Sequence, residues 1–190
     1  MATIVLLVLL VLLAFWVIAA YNGLITLKNQ VANAWKQIDV QLKRRHDLIP
    51  NLVNTVKGAM DFERGTLEAV IAARNKAVSA TGVQQTARAE GELTQALGRL
   101  FALTEAYPTL KATGNVAQLQ EELTSTENKI GFARQLYNDV ATQYNTRQML
   151  FPTSLIAGLA KAAPVELWQI EDAGERAVPT VDLSLNKPAP

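Results

Sequence analysis

Residues 2–21 read ATIVLLVLLVLLAFWVIAAY, twenty positions without a charge and with Thr3 as the one clearly polar side chain. At about 1.5 Å of rise per residue such a run makes a helix of roughly 30 Å. That matches a hydrocarbon core, where a helix satisfies its backbone hydrogen bonds internally. A cleaved signal would show a cationic start, a shorter apolar stretch and an A-x-A-like site. Here no Lys or Arg precedes the run, and Ile18-Ala19-Ala20 fits such a site poorly. The segment from Ala2 through Leu6, Leu10 and Trp16 to Tyr21 therefore reads as an uncleaved transmembrane anchor in a lipid bilayer.

Charge on the two flanks sets the expected orientation. Lys28, Lys36, Lys43, Arg44 and Arg45 face Asp39 and Asp47 downstream, while the amino-terminal side has only the α-amino group. The positive-inside rule then predicts residue 1 outside and residues 22–190 in the cytoplasm, a single-pass protein of the inner (plasma) membrane. The chain has no cysteine, which fits either compartment. With 18 cationic and 17 anionic side chains overall, a basic nucleic-acid-binding surface is not expected.

Beyond the anchor the apolar residues recur every three or four positions, the period of a helix with one buried stripe. Leu27, Val31, Trp35, Ile38, Leu42, Ile49, Leu52, Val53, Val56 and Met60 mark the first helix. Leu67, Val70, Ile71 and Ala77 mark a second over 66–79, and Leu93, Leu97, Leu100 and Leu103 a third over 84–107. A fourth, from Asn115 as cap to about Arg147, carries Val116, Leu119, Leu123, Ile130, Ala133, Tyr137, Val140 and Tyr144. Ala80-Thr81-Gly82 and 108–114 separate them. The expected fold is all-α: one transmembrane helix (2–21), an antiparallel bundle of three to four long helices (22–160), and a partly extended tail (161–190). Asn22-Gly23 is the expected place for a bend, since Gly is a poor helix former, and Pro50 for a kink within a continuing helix.

Asparagine is unusually frequent in these helices, at positions 22, 29, 33, 51, 54, 128, 138 and 145. Asn22, Asn29 and Asn33 share a face, either as a register-fixing polar ladder or as exposed decoration. Lys43-Arg44-Arg45 offers a contact for anionic lipid or a partner, or else a solvated face paired with Asp39 and Asp47.

The run YNGLITLKNQVANAWKQIDVQLKRRHDLIPNLV at 21–53 resembles the signature helix of the LemA family. The likeness continues at Thr104-Glu105-Ala106-Tyr107, Glu121-Glu122-Leu123, Glu127-Asn128, Ala133-Arg134, Tyr137-Asn138, Tyr144-Asn145 and Phe151-Pro152, to about residue 157. It implies a bacterial membrane-anchored helical bundle with no assigned enzymatic chemistry. Beyond Pro152 the likeness loosens, with Ser154 where the family tends to Asn and Glu166-Leu167-Trp168-Gln169 where it tends to a Phe-containing ending.

The residues themselves also speak against an enzyme and against any cofactor. The one histidine, His46, and the lack of cysteine leave a zinc site short of ligands, with Asp39 and Asp47 as its nearest candidate company. No phosphate-binding loop or nucleophile elbow is written in the chain. His46 remains a candidate pH-sensitive contact. The expected function is a non-enzymatic scaffold that self-assembles and organises or recruits membrane partners; the alternative is an accessory or regulatory subunit of a membrane protease or transport system. The span lacks paired small residues and is expected to dimerise poorly alone. Self-association is instead expected through Phe151, Pro152, Leu155, Ile156 and Trp168, with the tail docked on a neighbouring subunit or partner.

Overall fold

The computed structural model describes residues 1–57, 63–107 and 114–169; the strand-like alternation expected at 180–185 and most of the helix break expected at 108–114 lie outside them. The described residues are helical or irregular, with no strand among them. Among the described residues the helices follow in the order α1 (Ala2–Lys57), α2 (Arg64–Ser79), α3 (Val83–Glu105), α4 (Gly114–Met149) and the single turn α5 (Ser154–Ala157). The ends of α2, α3 and α4 lie within two residues of those the periodicity predicts, while Met60, expected on the first helix, lies outside the described residues. Asn115 is the exception in kind: it falls inside α4 instead of capping it.

Helix α1 runs unbroken through Asn22-Gly23 and through Pro50. Pro50 has no N–H to give the carbonyl of His46, four residues earlier. That carbonyl is met from outside the helix, because Arg74 Nε on α2 donates to it at 2.7 Å. The α2–α3 break falls where the sequence puts it, with Gly82 at φ 78°, a left-handed conformation that favours glycine.

Packing divides the bundle into two stacked regions. Distal to the apolar segment, Ile49, Leu52, Val53 and Val56 of α1 meet Leu67 and Val70 of α2, Leu93, Leu97 and Leu100 of α3, and Val116 and Leu123 of α4. Nearer that segment, α1 and α4 run antiparallel, burying Leu24, Val31, Ile38 and Leu42 against Ile130, Tyr137, Ala141 and Tyr144. Trp35 stands edge-on to Tyr137 with ring centroids 5.4 Å apart. Ile71 is the one expected α2 stripe residue that the fold leaves exposed. Asn22, Asn29 and Asn33 are exposed, so the ladder reading fails for them.

The third wall of this second region is not a helix. After α5 the chain reverses at Lys161, itself left-handed at φ 46°, and residues 162–169 climb back along α4. Asn145 clasps Val165 through both amide groups, its Nδ2 donating to the carbonyl at 2.8 Å and its Oδ1 accepting the N–H at 2.9 Å. Asn138 clasps Trp168 in the same way, at 2.9 and 2.8 Å. Between them Tyr137 Oη donates to the Glu166 carbonyl and Gln84 Nε2 to that of Leu167. Four consecutive carbonyls are thereby satisfied by side chains. The register follows from geometry: seven helical residues rise about 10.5 Å, and three extended residues span about 10 Å. Trp168 is thus buried in its own subunit, 6.0 Å from Trp35 and under Arg134. Residues 162–169 dock on their own bundle, where docking of the tail on a neighbouring subunit or partner was expected; the rest of that tail, 170–190, lies outside the described residues.

Candidate functional site

Three features combine polar chemistry or exposed apolar surface, and the first is a buried ionic centre where α1, α3 and α4 meet. Arg45 lies on the apolar stripe of α1, three residues after Leu42 and four before Ile49, so the fold carries it inward. Its side chain and that of Glu90 on α3 are each 4 % exposed and pair at 3.2 Å. Arg45 Nη1 also reaches Glu127 of α4 at 2.9 Å, and Nη2 donates to Thr94 Oγ1 at 2.8 Å. His46 Nε2 sits 2.6 Å from the other oxygen of Glu90. An ionised carboxylate only accepts, so this contact places a proton on Nε2. Thr94 in turn donates to the Glu90 carbonyl.

Every group in this centre is spoken for by another. Thr94 Oγ1 accepts from Arg45 and donates to the Glu90 carbonyl, so it ties α1 to α3. A cleft of about 640 Å³ borders the centre, lined among others by Arg88, Glu92 and Arg134.

These contacts revise two expectations. Of the basic cluster, Arg45 is neither lipid contact nor solvated surface; Lys43 pairs with Asp47 at 3.0 Å, and Arg44 is exposed. His46 is joined to Glu90, not to Asp39 or Asp47, and no cluster placed to hold a metal ion is found among the described residues.

The second feature is a groove between α1 and α4 of about 440 Å³, walled by Val40, Ala133, Leu136 and Phe132, with Lys36 and Lys129 on its rims. Phe132 is 73 % exposed and Val40 64 %. Gln41 also lines the groove, and its Oε1 is buried without a hydrogen-bond partner. Sequence reading missed this surface. The available signal was an aromatic placed off the Ile130–Ala133–Tyr137 stripe.

The third is the turn after α4, where the sequence placed an oligomer interface. Ile156 is buried within the chain, Pro152 is half-buried, and the exposed apolar residues are Met149, Leu150, Phe151, Leu155 and Leu159. Ile156 and Trp168 thus serve the internal core and are not available to a neighbour.

The sequence match that decides kinship covers residues 34–183 with the LemA family. The chain belongs to the LemA family. That match runs well past Phe151-Pro152 and through the 162–169 segment, so the carboxyl end, where the likeness loosens to the eye, is family sequence too. Among relatives, Protein LemA of Metamycoplasma hominis is 27 % identical, covering 85 % of this chain and 74 % of its own. Magnetosome protein MamQ 2 of Paramagnetospirillum magneticum is 23 % identical, covering 86 % and 70 %. Magnetosome protein MamQ of Magnetospirillum gryphiswaldense is likewise 23 % identical, covering 84 % and 68 %. Neither the LemA family nor the MamQ proteins carry an enzyme's name. With the apolar start of α1, this kinship points to a membrane-associated protein.

Proposed function

We propose that this LemA family chain is a membrane-anchored, non-enzymatic helical scaffold that stands in the inner (plasma) membrane, amino terminus outside, and recruits membrane partners on its α1–α4 face. The observation that carries the reading is α1 itself: one unbroken helix leads from the apolar segment into the bundle core. A bundle attached in this way turns with the apolar segment as one piece, as a recruiting platform requires.

The groove at Phe132 supports the choice of face. Its floor is apolar and its rims are Lys36 and Lys129, so the occupant assigned to it is an acidic amphipathic helix of another membrane protein. A second copy using the same groove across a two-fold axis would bring these lysines toward their own images, and like charges there oppose pairing.

A photo-crosslinking residue in place of Phe132, in the full chain in cells, tests this. The expected product is an adduct whose partner peptide is an amphipathic helix rich in Asp or Glu, and which disappears with Lys36→Glu and Lys129→Glu. Adducts only to a second copy, or adducts indifferent to the charge reversals, overturn the assignment.

A further inference from the structure

We infer that the turn from Met149 to Leu159 is a second membrane contact, lying in the headgroup boundary of the leaflet from which α1 emerges. This rests on the reading of residues 2–21 as a span.

Register fixes the height of the turn. Trp35 faces Tyr137 and the helices are antiparallel. Twelve residues after Tyr137, Met149 is therefore level with about Gly23, each helix having advanced about 18 Å. The turn that follows lies at the very end of the apolar segment, and α5 packs against α1.

Exposure along α1 shows how far the body reaches. Residues 1–15 are exposed, Trp16 and Val17 are half-buried, and Ala20 is buried. The covering therefore begins inside the apolar stretch, about 7 Å short of Tyr21 along the helix. A chain segment at that depth is within the 5–10 Å to which interfacial elements sink between headgroups and acyl chains.

Its chemistry suits that place. Phe151 is 80 % exposed, Leu159 73 % and Leu155 69 %, with Met149 and Leu150 beside them. The helix within this turn packs on α1. Arg147 and Lys161, both exposed, flank it in sequence. Trp16 and Tyr21 of α1 supply the aromatic side chains favoured at such a boundary. In water the patch would be a liability; against lipid it is covered without a second subunit.

The chain has no cysteine, so single-cysteine variants can be labelled cleanly. The test uses the full chain in vesicles of phosphatidylcholine and phosphatidylglycerol, carrying an environment-sensitive dye at Phe151→Cys, Leu155→Cys, Leu9→Cys or Val78→Cys. The expected result is blue-shifted emission at 151 and 155, quenched by headgroup-proximal lipid quenchers and protected from iodide. Dye at Val78, an exposed position on α2, should be quenched by iodide alone. Iodide quenching at 151 and 155 equal to that at 78 overturns the inference, as does protection from both quenchers, which would mean a protein covers the patch. Leu9, read with a quencher carried deep in the acyl chain, separates the two readings: if it escapes that quencher, the span has failed and not merely the second contact.

Discussion

Pro50 and Arg74 form a pair that only the folded chain reveals. A buried carbonyl left without a donor costs about 1–3 kcal/mol, and Arg74 removes that cost at His46. Arg74→Met should therefore destabilise by about that amount in the wild-type background. In a Pro50→Ala background, where the replaced residue can supply the helical N–H, the same change should cost markedly less. Thermal unfolding of the four proteins of this cycle reads the coupling; equal losses in both backgrounds would refute it. Arg45 and Glu90 obey a related logic. Glu90→Leu leaves a buried guanidinium with half-exposed Glu127 as its remaining carboxylate, a loss of about 3–5 kcal/mol. Arg45→Met with Glu90→Leu should lose less than Glu90→Leu alone, as a double-mutant cycle would report. The pattern made Arg45 legible as a stripe position, since it keeps step with Leu42 and Ile49. Its neighbours Lys43 and Arg44 disguised it, because three adjacent cations read as surface. What the pattern could not supply was Glu90, 45 residues away in sequence.

At the scale of elements, the helices were legible because period and breakers agree. Gly82 needs its left-handed turn, and the stripes of α3 and α4 are regular enough to place their ends within two residues. The 162–169 strap was not, because no local rule connects Asn138 and Asn145 to a backbone twenty or more residues downstream. Each Asn both donates to the C=O and accepts from the N–H of one residue, a pair of bonds that needs a side-chain amide, which gives a reason for two poor helix formers on α4. Asn138→Ala with Asn145→Ala should release the strap while α4 stays helical. Faster chymotrypsin cleavage at Leu167 and Trp168 with unchanged far-ultraviolet dichroism is the expected signature. Tyr137 adds a pH limit. Burial raises its phenol above the ordinary value of 10.0, and the charge of Glu166 raises it further. The folded state thus holds the neutral form, so this contribution is complete below about pH 10 and is lost as pH rises through the folded value. Trp168 fluorescence should report loosening in that alkaline range, and Tyr137→Phe should remove the pH dependence while weakening the strap at neutral pH.

For the whole molecule, the charge asymmetry makes a topological prediction. A reporter fused after Pro190 should be active in the cytoplasm, and Lys28→Glu with Lys36→Glu should erode that preference sooner than changes at Lys43 and Arg44, since charges nearer the span weigh more. Activity of that reporter only on the outer side would reverse the orientation. A more mechanical consequence follows from the continuity of α1. From Tyr21 to Lys57 it extends about 54 Å beyond the apolar stretch, so with that stretch seated in lipid α1 would act as a lever with its short arm in the bilayer. Helices that span a bilayer tilt by about 20° on average, more where the bilayer is thin for their length. Carried along a continuous α1, a tilt of that size would sweep the distal tip sideways by roughly 18 Å, so bilayer thickness would become a lateral position for whatever binds there.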